Sequence, residues 1–376
     1  MRISEFVQIL SGNDISFFTG VPDSQLKALC DYLYLTCTSS QNHIIAANEG
    51  NATAISAGYY MSTGKVPCIY LQNSGIGNII NPAASLLNDK VYAIPALFVI
   101  GWRGEPTIHD EPQHIFQGAI TLKLLDDLDI QYIILDKATT ETELNKAFIE
   151  FKRAFKSGKQ AAVVVRKGAL TYEQDVAYEN NNSLKREDAI RCITASAGTD
   201  IIVSTTGKTS RELFEIREQK KESHKYDFLT VGSMGHSSSI ALGIALNKPN
   251  TKVWCIDGDG AAIMHMGAMA IIGAESPTNL IHIVINNSAH ESVGGMPTVA
   301  GKISLTDIAK ACGYVSVSSV DDLNGLHTTL EMAKIQDVLT FVEVKSAIGS
   351  RKDLGRPTTT PVENKDALMS YLKEQM

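Results

Sequence analysis

The sequence lacks several features that would place it in large protein classes. Its six cysteines occur without a CxxC pair, which favours buried free thiols over disulfides or zinc ligands. The net charge of −7 argues against general binding to nucleic acid or to anionic membrane surfaces. No apolar run reaches the length of a membrane span, and the first residues lack the apolar core of a signal peptide. We therefore expect a cytoplasmic protein with reduced cysteines.

What is present indicates an α/β protein of two domains. The chain has 376 residues, and 44% of them are hydrophobic, which is enough for two ordinary globular cores. Short apolar strands alternate with helical segments in both halves. In the first half we predict a strand over Ile15–Phe18 followed by a loop over Thr19–Ser24, a glycine-rich loop over Asn73–Asn78 and an amphipathic helix over Glu141–Lys156. A polar, asparagine-rich stretch separates the halves. We predict two Rossmann-like domains, residues 1–175 and 191–376, joined by a linker over 176–190. Each should be a mostly parallel sheet flanked by helices.

The most informative stretch is a predicted βαβ unit over residues 252–295. Its first strand, Val253–Ile256, ends at a Gly-Asp-Gly turn, and a helix-like segment of small residues and methionines follows over Ala261–Ile272. A second apolar strand, Leu280–Ile285, stops at a pair of asparagines. In an open parallel sheet the carboxyl ends of strands form the edge at which ligands bind. The sequence therefore predicts a ligand site at this edge.

The residue types at this edge indicate a metal-bound phosphate ligand. Asp259 and the amide oxygen of Asn287 are hard donors, which suit Mg²⁺ or Ca²⁺. Gly258 and Gly260 allow the backbone to approach a phosphate closely. The helix start at Ala261 offers unpaired N–H groups to an anion. Because Mg²⁺ fills its shell with substrate phosphates, the pattern predicts a metal-bound di- or triphosphate.

Three other phosphate or metal motifs do not fit. A GxGxxG dinucleotide motif fails because Ile263 stands where the third glycine belongs. An EF-hand fails because the residues after Gly260 are apolar. The segment around Gly207 and Lys208 is similar to a P-loop, but Ile202 replaces its first glycine. Gly207 can still line a diphosphate pocket, although an ordinary loop explains it equally well.

Gly258-Asp259-Gly260, followed after 25 residues by Asn286-Asn287, resembles the signature of thiamine-diphosphate-dependent enzymes. The resemblance implies thiamine diphosphate and Mg²⁺ as cofactors. It also implies a pyrimidine-binding first domain and a diphosphate-binding second domain. The metal ligands would be the Asp259 and Asn287 side chains and the Ala289 carbonyl.

The same resemblance implies roles for three further residues. Glu49 follows a short apolar strand and precedes a helix of small residues, the context in which this family places the glutamate that bonds N1′ of the aminopyrimidine. Gly232 would offer its carbonyl to the 4′-amine, and Met234 would contact both rings of the cofactor. A helix N-terminal glutamate and a core methionine are the plain structural alternatives.

Three histidines are candidates for proton transfer. His109 and His114 lie in one polar stretch after a predicted strand, and His290 follows the metal loop. Histidine exchanges protons near neutral pH, which is why these positions are of interest. A structural role is equally expected for each of them.

Several segments resemble the phosphonopyruvate decarboxylase family in particular: Thr19–Ser24, Asn73–Asn78, Gly104–His114 and Ser292–Gly295. The implied reaction releases CO₂ from 3-phosphonopyruvate and gives phosphonoacetaldehyde, in the synthesis of 2-aminoethylphosphonate and other phosphonates. Sulfopyruvate decarboxylation is the nearest alternative. The candidates to bind the anionic 2-oxo acid are Asp23, Ser24, Arg103, His109, Arg351, Lys352 and Arg356.

Two alternatives come from other classes of protein. A non-catalytic, nucleotide-binding regulatory module would not require Glu49. One component of a 2-oxoacid oxidoreductase would need iron–sulfur ligands, and the sequence has no clustered cysteines. The resemblance also implies self-association, as a homodimer or a dimer of dimers, with no nucleic acid or membrane partner.

Overall fold

The computed structural model describes residues 1–374 and contains two compact units, one over Met1–Ala177 and one that begins at Tyr178. Both are layers of helices around a parallel sheet, so the predicted α/β class is confirmed. A helix over Arg186–Ala197 begins inside the stretch that the sequence predicts as a linker. Within residues 1–374, no helix combines the length and the apolar character needed to cross a membrane.

The first unit contains six strands and six α-helices among its described residues. In chain order they are α1 (Ile3–Ser11), β1 (Phe18–Gly20), α2 (Lys27–Thr36), β2 (His43–Ile45), α3 (Glu49–Thr63), β3 (Cys68–Gln72), α4 (Ile76–Pro82), β4 (Leu97–Gly101), α5 (Pro112–Asp127), β5 (Gln131–Leu135), α6 (Glu141–Lys156) and β6 (Ala161–Val165). The strands are all parallel in the order β2-β1-β3-β4-β6-β5. β4 and β6 are buried along their whole length, as expected for the centre of a sheet covered on both faces.

The second unit has the same plan. Its elements are α7 (Arg186–Ala197), β7 (Ile201–Ser204), α8 (Lys208–Lys220), β8 (Asp227–Leu229), α9 (Ser237–Asn247), β9 (Val253–Gly258), α10 (Asp259–Met264), α11 (Gly267–Glu275), β10 (Leu280–Asn286), β11 (Ala289–His290), β12 (Met296–Pro297), α12 (Leu305–Cys312), β13 (Ser316–Val320), α13 (Leu323–Ile335), β14 (Thr340–Lys345) and α14 (Pro361–Glu374). Six strands form a parallel sheet in the order β13-β14-β10-β9-β7-β8, and β11 pairs with β12 in an antiparallel ribbon.

The two sheets share one topology. In each, the first strand lies between the second and third, the fourth follows the third, and the sixth lies between the fourth and the fifth. The direction of winding therefore reverses between β1 and β3 in the first unit and between β7 and β9 in the second. The carboxyl ends of strands at such a reversal are the usual ligand site of a doubly wound sheet. Asp23 and Gln72 lie at this position in the first unit, and Gly207 and Asp259 in the second.

One predicted loop in the first unit is wrong. Thr19 and Gly20 belong to β1, although the sequence suggested that the strand ends at Phe18 and a loop begins at Thr19. The glycine marks a close contact rather than a turn. A Cβ at Gly20 would lie 1.9 Å from the Tyr70 carbonyl oxygen on the neighbouring strand, so only glycine allows this pairing.

Three helical segments also differ from the predictions. The glycine-rich stretch after β3, predicted as a loop, is a short 3₁₀ turn followed directly by α4. Gly75 is required there because a Cβ would lie 2.3 Å from Glu49 Oε1. The single helix expected after Gly260 is two helices, because the chain leaves helical geometry at His265. Lys208 begins α8 and does not lie in a plain loop.

Candidate active site

A buried carboxylate lies at the carboxyl end of β9. Asp259 is the first residue of α10 and is 3% exposed. Its Oδ2 accepts a hydrogen bond from Thr298 Oγ1 at 2.5 Å. Burial raises the pKa of Asp259 to about 7, because hydrogen bonds do not fully replace the lost hydration of the charged form. A divalent cation would supply that missing stabilisation, so this residue fits the predicted metal site.

Asn287, at the end of the neighbouring strand β10, has an ordered amide. Its Nδ2 donates to Glu291 Oε2 at 2.7 Å, and its Oδ1 accepts from the backbone N–H of Ala289 at 3.1 Å. Its backbone carbonyl accepts from Asn180 Nδ2 at 2.8 Å. An amide oxygen has two lone pairs, so Oδ1 retains one for a cation.

The chain leaves room for a phosphate group at two strand ends. A Cβ at Gly207, after β7, or at Gly258, at the end of β9, would have no atom within 4 Å among residues 1–374 other than those of its own residue and its two neighbours in the chain. Gly207 also adopts φ 91°, a conformation that favours glycine. The N–H groups at the start of α8 follow it directly. The space and the donors fit a diphosphate.

The segment after β8 brings two predicted site residues to Gly260. A Cβ at Gly260 would lie 3.4 Å from Met234 Cε and 3.3 Å from His290 Nδ1. Gly232, two residues before Met234, has φ 68° and donates its N–H to Thr206 Oγ1 at 3.1 Å. The structure therefore places Met234 and His290 beside the Gly-Asp-Gly turn. Burial lowers the pKa of His290 to about 4, so its ring is neutral near pH 7.

A second group of possible metal ligands comes from strands β9 and β10. Donor atoms of Cys255, Asp257 and His282 all lie within 4.8 Å of one another and are buried. Asp257 Oδ2 and His282 Nε2 are 3.7 Å apart. Thiolate and imidazole donors suit zinc better than Mg²⁺. This group is separate from the predicted Mg²⁺ ligands Asp259 and Asn287.

In the first unit, Glu49 is buried at the first position of α3. It is 5% exposed, and its Oε2 accepts a hydrogen bond from Asn78 Nδ2 at 2.7 Å. Gly75 lies directly against the same carboxylate. Burial raises the pKa of Glu49 despite the Asn78 hydrogen bond. The helix N-terminus favours the charged form, but here the loss of hydration has the larger effect. A buried carboxyl group with a raised pKa holds a proton more readily than an exposed glutamate does, as acid–base chemistry requires.

Asp23 and Arg103 form two linked polar clusters at the same edge of the first sheet. Asp23 is fully buried, accepts from Gln72 Nε2 at 2.5 Å, and has a pKa raised by burial. The guanidinium of Arg103 bonds Asp110 at 2.8 and 2.5 Å, and its NH1 donates to Ser24 Oγ at 3.1 Å. Burial opposes ionisation of Asp110, but its hydrogen bonds outweigh that effect and lower its pKa.

The two histidines of the first unit have different surroundings. His109 is exposed in the loop before α5. His114 lies in the first turn of α5, and its Nδ1 is buried with no hydrogen-bond partner among residues 1–374. Burial and the charge of Arg103 lower the pKa of His114. Of the two, His114 offers the site a neutral, unsatisfied ring nitrogen.

The C-terminal loop is less available to a substrate than its charge suggests. Arg351 pairs with Glu215, with Glu187 at 2.9 Å and with Asp353 at 3.4 Å. The side chains of Lys352 and Arg356 are exposed. Because three carboxylates already balance Arg351, a phosphonate would have to compete with them.

Sequence reasoning missed three residues that hold the predicted ones in place. Asn78 bonds Glu49, Thr298 bonds Asp259, and Glu291 bonds Asn287. Asn78 and Thr298 are far from their partners in the chain, so no local spacing could reveal them. Glu291 lies four residues after Asn287, and an acidic residue at this spacing was a signal that could have been used.

Comparison with known proteins identifies the family to which both units belong. A family model for the thiamine pyrophosphate enzyme N-terminal TPP binding domain matches residues 4–128, and one for the C-terminal TPP binding domain matches residues 205–344. Thiamine pyrophosphate is another name for thiamine diphosphate. The two models fall on the first and second structural units, respectively.

Relatives that align along nearly their whole length identify the family more narrowly. Over 96% of this chain, it is 33% identical to the phosphonopyruvate decarboxylase of Streptomyces viridochromogenes, covering 92% of that protein. It is 32% identical to that of Streptomyces hygroscopicus, with 96% of this chain and 91% of that protein covered. The sulfopyruvate decarboxylase of Methanosarcina acetivorans is 27% identical over 90% of this chain and 89% of its own length. The chain therefore belongs to the thiamine pyrophosphate enzymes and, within them, to the decarboxylase family that includes these phosphonopyruvate decarboxylases.

Proposed function

We propose that this protein decarboxylates 3-phosphonopyruvate to phosphonoacetaldehyde and CO₂, using thiamine diphosphate and Mg²⁺. Membership of the family makes the chain a thiamine-diphosphate-dependent carboxy-lyase that acts on a 2-oxo acid. The observation that carries the choice of substrate is the 33% identity to a phosphonopyruvate decarboxylase along nearly the whole of both chains. Sulfopyruvate is the second candidate, supported by the 27% identical relative from Methanosarcina acetivorans.

The second unit would hold the diphosphate through the cation. The side chains of Asp259 and Asn287, with the carbonyl of Ala289, are the proposed ligands. Support comes from the burial of Asp259, whose raised pKa marks a carboxylate that needs a cation, and from the fixed amide of Asn287. Gly207, Gly258, Gly260 and the N–H of Ala261 would surround the phosphates, with open space beside Gly207 and Gly258.

The first unit would supply the proton chemistry through Glu49. When bound, thiamine diphosphate provides the electron sink into which the bond to CO₂ breaks. Glu49 would hold a proton against N1′ of the aminopyrimidine, and its burial beside Asn78 favours a shared proton over a free carboxylate. Gly232 and Met234 would contact the rings from the second unit. His290 and His114 are the proposed proton donors and acceptors for the reacting carbons.

The substrate anion would bind near Arg103 and Ser24. Arg103 offers a guanidinium held in place by Asp110, and Ser24 lies within hydrogen-bond distance of it. Asp23 would position Gln72 beside this site. His109 is close in sequence and exposed. Arg351, Lys352 and Arg356 remain candidates for a second contact, although Arg351 is already paired.

A comparison of three 2-oxo acids tests the proposed substrate. With saturating thiamine diphosphate and Mg²⁺, we expect kcat/KM for phosphonopyruvate to exceed that for pyruvate by at least about 10⁴-fold, since a site built for a charged group rejects an analogue that lacks it. Sulfopyruvate should lie between the two. A larger kcat/KM for sulfopyruvate would replace the proposed substrate with the second candidate. No decarboxylation of any of the three would argue for a non-catalytic protein.

We also propose that the protein is a homo-oligomer, at least a dimer, in which Glu49 of one chain and Asp259 of another serve one cofactor. The proposal rests on the family resemblance, because the structure describes a single chain. Mixing inactive Glu49→Gln and Asp259→Ala chains should then restore up to about one half of the parent activity per mixed dimer, because one of its two sites carries neither change. Subunit exchange is verified by mass spectrometry of differently tagged chains. Activity that stays at background despite exchange would show that each chain serves its own cofactor.

A further inference from the structure

The side chain of Asn287 has two chemically different ends, and only its oxygen can bind a cation. Each end contacts a group that can act only as a hydrogen-bond donor or only as an acceptor. Nδ2 is 2.7 Å from the Glu291 carboxylate, which only accepts hydrogen bonds, and Oδ1 is 3.1 Å from the Ala289 N–H, which only donates. A flipped amide would bring oxygen against carboxylate and nitrogen against N–H. The two neighbours therefore permit one orientation.

Glu291 is held in place by two cations. Arg186 NH1 donates to its Oε2 at 2.6 Å, and Lys208 Nζ donates to its Oε1 at 3.0 Å. Arg186 also bonds Glu212 through two contacts of 2.7 Å. The side chains of Arg186, Glu212 and Glu291 are 6%, 1% and 8% exposed. Buried ion pairs in such geometry hold their members in one place, because loss of a partner leaves an uncompensated charge.

The network also connects two parts of the site. Lys208 is the first residue of α8 and follows Gly207, where the structure leaves room for a phosphate. Asn287 lies in the loop after β10. Glu291 bonds both Lys208 and Asn287, so it joins the proposed phosphate side of the site to the proposed cation side. The reaction scheme proposed above gives no role to this carboxylate.

We propose that Glu291 is a positioning residue that fixes the amide of Asn287 with its oxygen toward the divalent cation. The inference rests on the proposed function of Asn287 as a cation ligand. Glu291 itself does not touch the cation in this account. It acts by removing the alternative orientation, in which the amide nitrogen would face the metal and Oδ1 would face a carboxylate.

The test is cation affinity, measured without turnover. We expect Glu291→Gln to raise the Kd for Mn²⁺ by about 10- to 100-fold, the usual effect of removing a residue that orients a metal ligand. Free Mn²⁺ is followed by electron paramagnetic resonance in the presence of saturating thiamine diphosphate. A glutamine can donate as well as accept, so it no longer fixes the amide.

Exchanging the hydrogen-bond donor and acceptor between positions 287 and 291 distinguishes a role of Glu291 in orienting the ligand from an effect of its lost charge. Asn287→Asp alone places a carboxylate against Glu291 and should weaken Mn²⁺ binding. In the double variant Asn287→Asp/Glu291→Gln, the glutamine N–H can donate to the new carboxylate, which needs no orientation. We expect this pair to bind Mn²⁺ at least about fivefold more tightly than Glu291→Gln alone, a coupling within the range for contacting residues. Affinity equal to or weaker than that of Glu291→Gln would overturn the inference.

Glu343→Gln is the matched control. Glu343 is also buried and accepts from the amide of the preceding asparagine, Asn286, at 2.7 Å, but Asn286 is not a proposed ligand. The Mn²⁺ affinity of the Glu343→Gln variant should equal that of the parent. If Glu291→Gln does not fold, as judged by near-ultraviolet circular dichroism, Glu291→Asp replaces it, since it retains the charge facing Arg186 and shortens the reach to Asn287.

Two failures can be told apart. Parent-like Mn²⁺ affinity in the folded Glu291 variant, with affinity lost in Asp259→Ala, would show that Glu291 does not position Asn287 and would leave the cation site intact. Parent-like affinity in both variants would show that the proposed cation site itself is wrong.

Discussion

Asp259→Ala is expected to abolish cation-dependent binding of thiamine diphosphate. The change removes a buried carboxylate whose charge the apoprotein stabilises poorly, as its raised pKa shows, and which a cation would stabilise. We expect the Kd for thiamine diphosphate in the presence of Mg²⁺ to rise by more than about 100-fold, beyond the usual effect of altering a group that only supports a ligand. Isothermal titration calorimetry measures this affinity directly.

Thermal unfolding of the same variant gives an independent check. Because burial disfavours the charge of Asp259, its removal should not lower the midpoint of the apoprotein at pH 8, whereas Mg²⁺ with thiamine diphosphate should stabilise only the parent.

Asp200→Ala is the control. Asp200 accepts from Trp254 Nε1 at 3.0 Å at the amino edge of the same sheet. The Asp200→Ala variant should keep the cofactor affinity of the parent. Unchanged affinity in Asp259→Ala would refute the assignment.

Glu49→Gln is expected to bind the cofactor and lose roughly 10²- to 10⁴-fold in kcat, the usual contribution of a positioned acid–base group. Glutamine keeps the shape and the hydrogen bond to Asn78 but cannot share a proton with the aminopyrimidine. The direct readout is the exchange of the cofactor C2 proton, followed by nuclear magnetic resonance on the bound complex. Its rate should fall with kcat, while the Kd for thiamine diphosphate changes much less.

Glu141→Gln is the matched control for the helix dipole. Glu141 also begins a helix, α6, but it is exposed. If Glu49 served only as a favourable charge at a helix N-terminus, both changes would have similar, small effects on stability and none on exchange. The raised pKa of Glu49 instead predicts that removal of its charge does not lower the free energy of unfolding. A carboxyl group with a raised pKa costs folding free energy above that pKa, so its neutral replacement should not destabilise the protein at pH 8.

Much of the fold could be predicted because the relevant patterns are local. The bounds Glu141–Lys156 of α6 match the predicted amphipathic helix, since an apolar period is carried by residues close together in the chain. The strands that end at Gly258 and Asn286 were found within two residues. The glycines misled the predictions where their role is a distant contact. Gly20 and Gly75 are required by Tyr70 and Glu49, and a single sequence does not show such pairs.

In the candidate site, too, the residues given by local patterns could be predicted and those set by distant contacts could not. The Asp259 and Asn287 positions follow from the ends of neighbouring strands, which the sequence can indicate. The groups that hold them, Thr298 and Glu291, depend on loops that fold back over the sheet. The ion pairs of Arg351 also depend on packing, here of the C-terminal loop against α8. A basic residue in a loop sequence therefore says little about whether its charge is free for a substrate.

Phosphorus-31 nuclear magnetic resonance tests the central claim most directly. The purified chain is incubated with phosphonopyruvate, thiamine diphosphate and Mg²⁺, and parallel samples omit the cofactor or contain a chelator. We expect the phosphonopyruvate signal to be replaced by that of phosphonoacetaldehyde only in the complete sample, with one equivalent of CO₂ released. A phosphonopyruvate signal that persists in the complete sample, or that disappears equally without cofactor, would contradict it.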